Sequence, residues 1–209
     1  MTLAGFRKLM WGMVVFATVV LVAGYAANWE LERRAGDSLN TAATTSGIGG
    51  AFTMTDSSGR EVTEETYAGK VWMMFMGFIN CPDICPTTLA EMSGWLKELG
   101  ADEDGIRGFL VTVDPDRDTP EVVSRYISSF DDRIVGLVPT ANQLESFAEN
   151  YKVHYDKVPL KEGGYTMDHT AGVLLFDQSG RLSGTIDLHE DRETALAKLR
   201  NLLNGEERS

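Results

Sequence analysis

Val71-Trp72-Met73-Met74-Phe75-Met76-Gly77-Phe78-Ile79-Asn80-Cys81-Pro82-Asp83-Ile84-Cys85-Pro86 is the stretch on which the fold turns. Residues 71–78 form a continuous apolar run between Lys70 and Asn80. Such a run, without polar alternation, reads as a strand buried on both faces. Pro86 then opens a helical pattern in which Leu89, Met92, Leu96 and Leu99 recur at helical spacing, and Gly100 stops it. A buried strand thus runs through a turn holding both cysteines of the chain into a helix.

Outward from this stretch, Phe52–Thr55 and Glu61–Thr63 read as a strand pair around the turn Ser57-Ser58-Gly59. Ile106–Val113 is a second buried strand. Thr119 caps a helix with Pro120 at its first position, running to Phe130. Ile134–Val138 is a third strand and Asn142–Tyr151 a helix. Val153–Val158, Ala171–Asp177 and Arg181–Asp187 read as strands, the last two joined by the turn Gln178-Ser179-Gly180. Arg192–Leu203 is a closing amphipathic helix. Strands alternating with helices, and a hairpin before the last helix, predict an α/β domain with a mixed sheet flanked by helices. Strand, cysteine turn, helix, then strand–helix–strand–strand–helix is the thioredoxin arrangement.

The rest of the chain adds an address. Leu9–Ala27 is uncharged throughout, close to the ~20 apolar residues a helix needs to cross a bilayer. Arg7 and Lys8 precede it, so the positive-inside rule leaves residues 1–8 in the cytoplasm and exports the rest. Trp11, Tyr25 and Trp29 suit the two interfaces. Gly24-Tyr25-Ala26 would serve a signal peptidase, but the run exceeds the usual ~7–15 residues of a signal h-region, which favours an uncleaved anchor. No Cys follows it, which excludes a lipoprotein anchor, and no Arg- and Ser-rich presequence is present. The expectation is a single-pass protein of a bacterial inner (cell) membrane, with residues 28–50 as a flexible tether and 51–209 as a periplasmic domain.

All 31 acidic residues lie at or beyond Glu30, in a chain of 209 residues with net charge −12. That balance excludes a nucleic-acid footprint. An acidic domain tolerates cations and basic partner surfaces, although solubility alone accounts for it.

Two cysteines in one short segment do not staple a domain of this size; they point to metal or redox chemistry. At a helix N-terminus a thiolate is favoured, and positions four apart share one face of a helical turn. The exported location also permits a redox disulfide between Cys81 and Cys85. Two cysteines are too few for a closed tetrahedral zinc site, so a third ligand must come from elsewhere. Only three histidines exist. His154 follows Tyr151-Lys152-Val153, and alternation sends it outward; His189 sits in an acidic loop. His169, in Asp168-His169-Thr170 just before an apolar strand, is the candidate. Two thiolates and one imidazole suit copper, Cu(I) or Cu(II). Met54, Met73, Met74 and Met76 are better read as core gap-fillers. Met167 is retained as a weak ligand candidate. Asp114, Arg117, Asp118 and Pro120 are read as a cap and ion-pair network fixing a loop.

With these residues in view, the chain resembles the Sco (SenC) family, copper chaperones for assembly of the copper A centre of cytochrome c oxidase. The resemblance runs from Phe52 to Leu203. It rests on Cys81-Pro82-Asp83-Ile84-Cys85-Pro86, Val113-Asp114-Pro115-Asp116-Arg117-Asp118-Thr119-Pro120, Tyr151-Lys152-Val153-His154-Tyr155 and Asp168-His169-Thr170. It implies a thioredoxin-like fold, a membrane anchor, and copper ligation by Cys81, Cys85 and His169. The implied partner is the copper-bearing subunit of the oxidase, with a copper donor or thiol reductant upstream. One departure is that Ile79 stands where the family commonly has a hydroxyl-bearing residue. The rival function is a thiol–disulfide reductase, an enzyme, acting on cysteines of the oxidase or of other exported proteins. A peroxidase of the peroxiredoxin type is disfavoured, because Phe78 occupies the position where that pattern places Thr.

Overall fold

The computed structural model describes residues 48–100 and 105–205. The expected anchor 9–27, and the tether apart from 48–50, lie outside the described residues. Among the described residues no helix is long and apolar enough to cross a membrane.

The apolar run becomes β3, Val71–Gly77, and every residue of it is buried. It is buried because it is central. β4 (Ile106–Thr112) runs parallel along one edge, and β8 (Val173–Phe176) runs antiparallel along the other. β5 (Ile134–Val138) continues the parallel set beyond β4. The hairpin β1 (Thr53–Asp56) and β2 (Glu61–Thr63) closes that side, and β9 (Leu182–Ile186) closes the other. The seven-stranded order is β2-β1-β5-β4-β3-β8-β9. This is the mixed sheet expected from the sequence.

Among the described residues four helices flank the sheet: α1 (Ile84–Leu99), α2 (Pro120–Ile127), α3 (Ala141–Tyr151) and α4 (Arg192–Leu203). α1 covers the face of β3 and β4 that carries Met73 and Gly108. A Cβ at Gly108 would stand 3.1 Å from Met92 of that helix. On the opposite face Trp72 stacks on Phe176, 3.8 Å apart and 9° from parallel, and Tyr151 of α3 meets Phe176 edge-on. Met54, Met73, Met74 and Met76 are all fully buried, as gap-fillers should be.

Several boundaries differ from the sequence reading. α1 starts at Ile84, two residues before Pro86, so Cys85 is already helical; a proline is tolerated in the first turn, where no intrahelical N–H bond is lost. α2 ends at Ile127 rather than Phe130. The strand read from Val153 begins at Tyr155, because Lys152 takes a left-handed cap (φ 54°, ψ 37°) and the Val153 N–H bonds back to Ala148. A 3-10 turn, Glu64–Tyr67, was not anticipated. The larger correction is β7, Tyr165–His169. It pairs antiparallel with β6 (Tyr155–Pro159) as a separate two-stranded sheet. No periodicity in 159–170 marks this strand in the sequence.

The hairpins at the two ends of the sheet are closed by the same chemistry. In Asp56-Ser57-Ser58-Gly59-Arg60, Asp56 Oδ1 accepts from the Ser58 N–H, the Ser58 hydroxyl and the Arg60 N–H, and Oδ2 accepts from Arg60 Nε. Asp177-Gln178-Ser179-Gly180-Arg181 repeats the set. Gly59 (φ +84°) and Gly180 (φ +77°) supply the left-handed residue that each turn requires.

Asp56 is fully buried, Asp177 less so. Burial opposes ionisation of Asp56, but the hydrogen bonds from Ser58 and Arg60 outweigh it and hold the carboxyl below the usual range. Its contribution is therefore present above the unfolded carboxylate pKa of about 3.9 and is lost as pH falls through the lower folded value. Asp56→Ala is expected to cost about 2–3 kcal/mol at pH 7 and Asp177→Ala about 1 kcal/mol. The Asp56 loss should shrink below pH 4. Urea unfolding across pH 3–7 measures both.

Candidate metal and thiol site

The cysteine turn begins where β3 leaves the sheet. The Cys81 N–H donates to the Phe78 carbonyl at 3.3 Å, closing the turn. Asp83 occupies the cap position of α1, but its side chain caps nothing. The sulfur of Cys81 takes that role, because the Cys85 N–H donates to Cys81 Sγ at 3.3 Å. One otherwise unpaired N–H of the helix start is thus directed at a sulfur.

Cys85 is fully buried and Cys81 half-buried; both are free thiols. A helix N-terminus led us to expect a favoured thiolate. For Cys85 the structure reverses that expectation. Burial, then the hydrogen bond with Cys81, push its thiol far above the ordinary range. Gly77 is part of the reason that the sulfur fits. A Cβ at this residue would lie 3.3 Å from Cys85 Sγ and 2.8 Å from the Phe75 ring.

His169 ends β7 and brings Nε2 to 3.7 Å from Cys85 Sγ. Its Nδ1 lies 3.0 Å from the Thr170 carbonyl. A carbonyl only accepts, so Nδ1 is the donor to it and Nε2 is the ring nitrogen that faces the sulfur. The rings of Phe78 (5.7 Å, 86°) and Phe75 (6.0 Å, 75°) hold the imidazole edge-on. Backbone closure is equally tight: the Thr170 N–H donates to the His154 carbonyl, and the His154 N–H to the Thr170 hydroxyl.

The charged loop after β4 joins the two halves of the site. Asp118 is buried and its Oδ2 accepts from the Ile79 N–H (3.1 Å), inside the cysteine turn, and from the Thr112 hydroxyl (2.6 Å). Asp114 is also buried. It accepts from the Tyr165 hydroxyl (2.8 Å) and pairs with Arg117. Arg117 in turn donates to the Tyr165 carbonyl and lies 3.9 Å over the Tyr165 ring. One loop therefore grips the cysteine turn through Asp118 and the His169 hairpin through Asp114. The Asp114–Arg117 pair is the ion pair expected from the sequence, while Asp118 takes two neutral donors instead. Tyr165 was missed; in Gly163-Gly164-Tyr165 nothing but its aromatic character marks it.

The remaining candidates separate cleanly. His154 and His189 are exposed. Met167 shares a face of β7 with His169 but is buried in the hydrophobic core. Among the described residues no group of three or more His, Cys, Asp or Glu side chains already stands gathered as a metal site. The donors nevertheless fit a soft ion. Bonds of about 2.3 Å to a thiolate and about 2.0 Å to an imidazole, meeting at about 110–120°, separate S and N by about 3.5–3.7 Å. The observed 3.7 Å lies in that interval.

A thioredoxin-like α/β domain with a dithiol and an imidazole at one helix start defines the class. The SCO1/SenC family model matches residues 40–204, and the chain belongs to that family. "Protein SCO2, mitochondrial" of Saccharomyces cerevisiae is 35% identical over 158 residues, 73% of this chain and 52% of its own. The chain thus spans about half the length of that relative. The structure of Bradyrhizobium japonicum ScoI with copper bound is 41% identical and covers 74% of this chain and 99% of its own, with a TM-score of 0.69. The yeast Sco1 structure with copper bound is 30% identical, covers 76% and 89%, and also scores 0.69.

Asp118 gives a test of the loop's role. Burial raises its carboxyl above the usual range, against the hydrogen bonds from Thr112 and Ile79. A raised carboxylate pKa means that its contribution is fullest below about pH 3.9 and declines as pH rises through the folded value. Asp118→Asn keeps an acceptor oxygen and removes the buried charge. It is expected to be neutral or stabilising at pH 7 and to flatten stability between pH 4 and 7. Asp118→Ala orphans the Ile79 and Thr112 donors and should cost about 2–3 kcal/mol. Denaturant unfolding of both variants decides it, and equal losses would remove the acceptor role.

Proposed function

We propose that this chain is a membrane-anchored copper metallochaperone. It binds copper through Cys81, Cys85 and His169 and delivers it to, or prepares, the copper A centre of cytochrome c oxidase. The observation that carries this reading is the 3.7 Å approach of His169 Nε2 to Cys85 Sγ, with Nδ1 tied off by Thr170. Relatives that share the fold hold copper in their structures, and the Sco family is one of cytochrome c oxidase assembly proteins.

The chemistry follows from the residues. Copper is the cargo. Two soft sulfurs and one imidazole bind it and leave a coordination position open, which suits an ion that must be handed on. Because burial disfavours the Cys85 thiolate, loading displaces a proton that the fold otherwise holds, and affinity falls with pH. Oxidation to a Cys81–Cys85 disulfide would consume both sulfurs, so loading requires the reduced pair.

One observation favours a second reading, the thiol–disulfide reductase. Cys81 is the more exposed sulfur and Cys85 lies buried behind it, the arrangement of an attacking and a resolving thiol. His169→Ala separates the two. The variant should fold normally and exchange disulfides at about the wild-type rate, while copper affinity drops more than about 100-fold. Loss of oxidase assembly in cells carrying it supports copper handling; normal assembly with copper binding gone transfers the function to the thiols.

We place the domain, 51–209, on the periplasmic side of a bacterial inner membrane, held by 9–27 through a tether of 28–50. The uncharged run after Arg7 and Lys8 supports this. The full-length protein is expected to stay in the membrane pellet after alkaline carbonate washing. A soluble mature form beginning near Ala27 would remove the anchor.

A further inference from the structure

The hairpin that carries His169 stands apart from the main sheet. Among the described residues β6 and β7 pair only with each other, in a register running from Tyr155↔His169 to Pro159↔Tyr165. A two-stranded hairpin is marginal by itself, so its place on the domain depends on what its side chains touch. Alternation puts Tyr165, Met167 and His169 on one face of β7. That face meets the domain: Met167 is buried in the core, Tyr165 reaches Asp114 and His169 reaches Cys85. Asp156, Val158 and Asp168, on the other face, are exposed.

The contacts that hold the hairpin are unequal. Met167 packs without directional bonds. Lys157 pairs with Asp116, but both side chains are at least half exposed, and such pairs contribute little. Tyr165 differs. Its hydroxyl donates to Asp114 Oδ1 at 2.8 Å, and Asp114 is fully buried, so the bond is charge-assisted and shielded from water. Arg117 holds the same residue, donating to its carbonyl at 3.1 Å and lying 3.9 Å from its ring centroid. Met167 stands midway between Tyr165 and His169, two residues or about 7 Å from each. A tilt of β7 about Met167 therefore moves both ends by similar amounts. Ligand groups have to be held to within about 0.5 Å, so whatever fixes the Tyr165 end fixes the approach of His169 to Cys85.

We propose that Tyr165 is the positioning residue for His169: its hydroxyl, bonded to Asp114, fixes the far end of β7 so that the near end holds Nε2 at ligand distance from Cys85. As a feature of a copper site this rests on the ligand reading above. The placement of the imidazole does not.

Tyr165→Phe tests it, because the ring beside Arg117 stays and the hydroxyl goes. In the metal-free, reduced full-length protein the three histidines are modified with diethyl pyrocarbonate and followed separately by peptide mass spectrometry. His154 and His189 are exposed and serve as internal standards, whereas His169 is half-buried against Phe75 and Phe78. Wild-type His169 should react more slowly than both. In Tyr165→Phe it should react several-fold faster with the other two unchanged. Cu(I) affinity, measured by competition with a chromophoric chelator, should fall about tenfold or more. Lys157→Met, which removes only the exposed ion pair, should match wild type in both measurements. If His169 keeps its wild-type rate in Tyr165→Phe, the proposal is overturned whatever the affinity does. An equal effect of Lys157→Met overturns it too, since any contact of the hairpin would then suffice, as does an unfolded Tyr165→Phe, whose hydroxyl would serve the whole fold. If wild type fails to bind copper, or His169→Ala binds it equally well, the ligand reading falls, and the reactivity of His169 still decides its placement.

Discussion

The bond from the Ile79 N–H to Asp118 Oδ2 is the constraint on which the site depends. A strand that leaves a sheet toward a helix has free N–H groups, and the turn between them has many conformations. Burying a carboxylate beside that turn selects one of them. The cost of burying Asp118 is offset only in part by two donors, Ile79 and Thr112. The loop that carries Asp118 also carries Asp114, whose bonds to Tyr165 and Arg117 reach the β6–β7 hairpin. Cysteine turn and histidine hairpin are thus referred to one rigid loop rather than to each other. Their sulfur and nitrogen can meet at ligand spacing without a covalent tie.

The sulfurs are placed asymmetrically by the same backbone. Cys81 replaces the absent side-chain cap of α1, while Cys85 lies under the glycine-lined end of β3. One sulfur is reachable and the other shielded. Burial disfavours ionisation of the Cys85 thiol, which makes it the less reactive of the two sulfurs. The aromatic walls of Phe75 and Phe78 hold the imidazole of His169 without competing for its lone pair.

Much of this was legible in the chain. The unbroken apolar run 71–78 has to be buried on both sides, and the proline-flanked cysteines have to sit where it turns into a helix. Thr119-Pro120 marks a helix start, and Ser57-Ser58-Gly59 and Gln178-Ser179-Gly180 mark the two hairpin turns. The three ligand candidates emerged because cysteine and histidine are so scarce here. β7 escaped notice because its alternation is short, flanked by Gly163 and Gly164, and paired only with an exposed strand, so no hydrophobic face announces it.

The sequence by itself determined the elements, the sheet's central strand and the residues capable of chemistry, since these follow from local period, turn chemistry and side-chain type. Only the tertiary structure decided which of them meet. Cys85 and His169 lie 84 positions apart, and no local pattern encodes their contact. It exists because β4 and β8 flank β3, and because the loop after β4 then reaches both the turn and the hairpin. The reversal of the expected thiol chemistry at Cys85 arises from burial. Burial is a property of the packed whole, because the surrounding atoms come from segments distant in the chain.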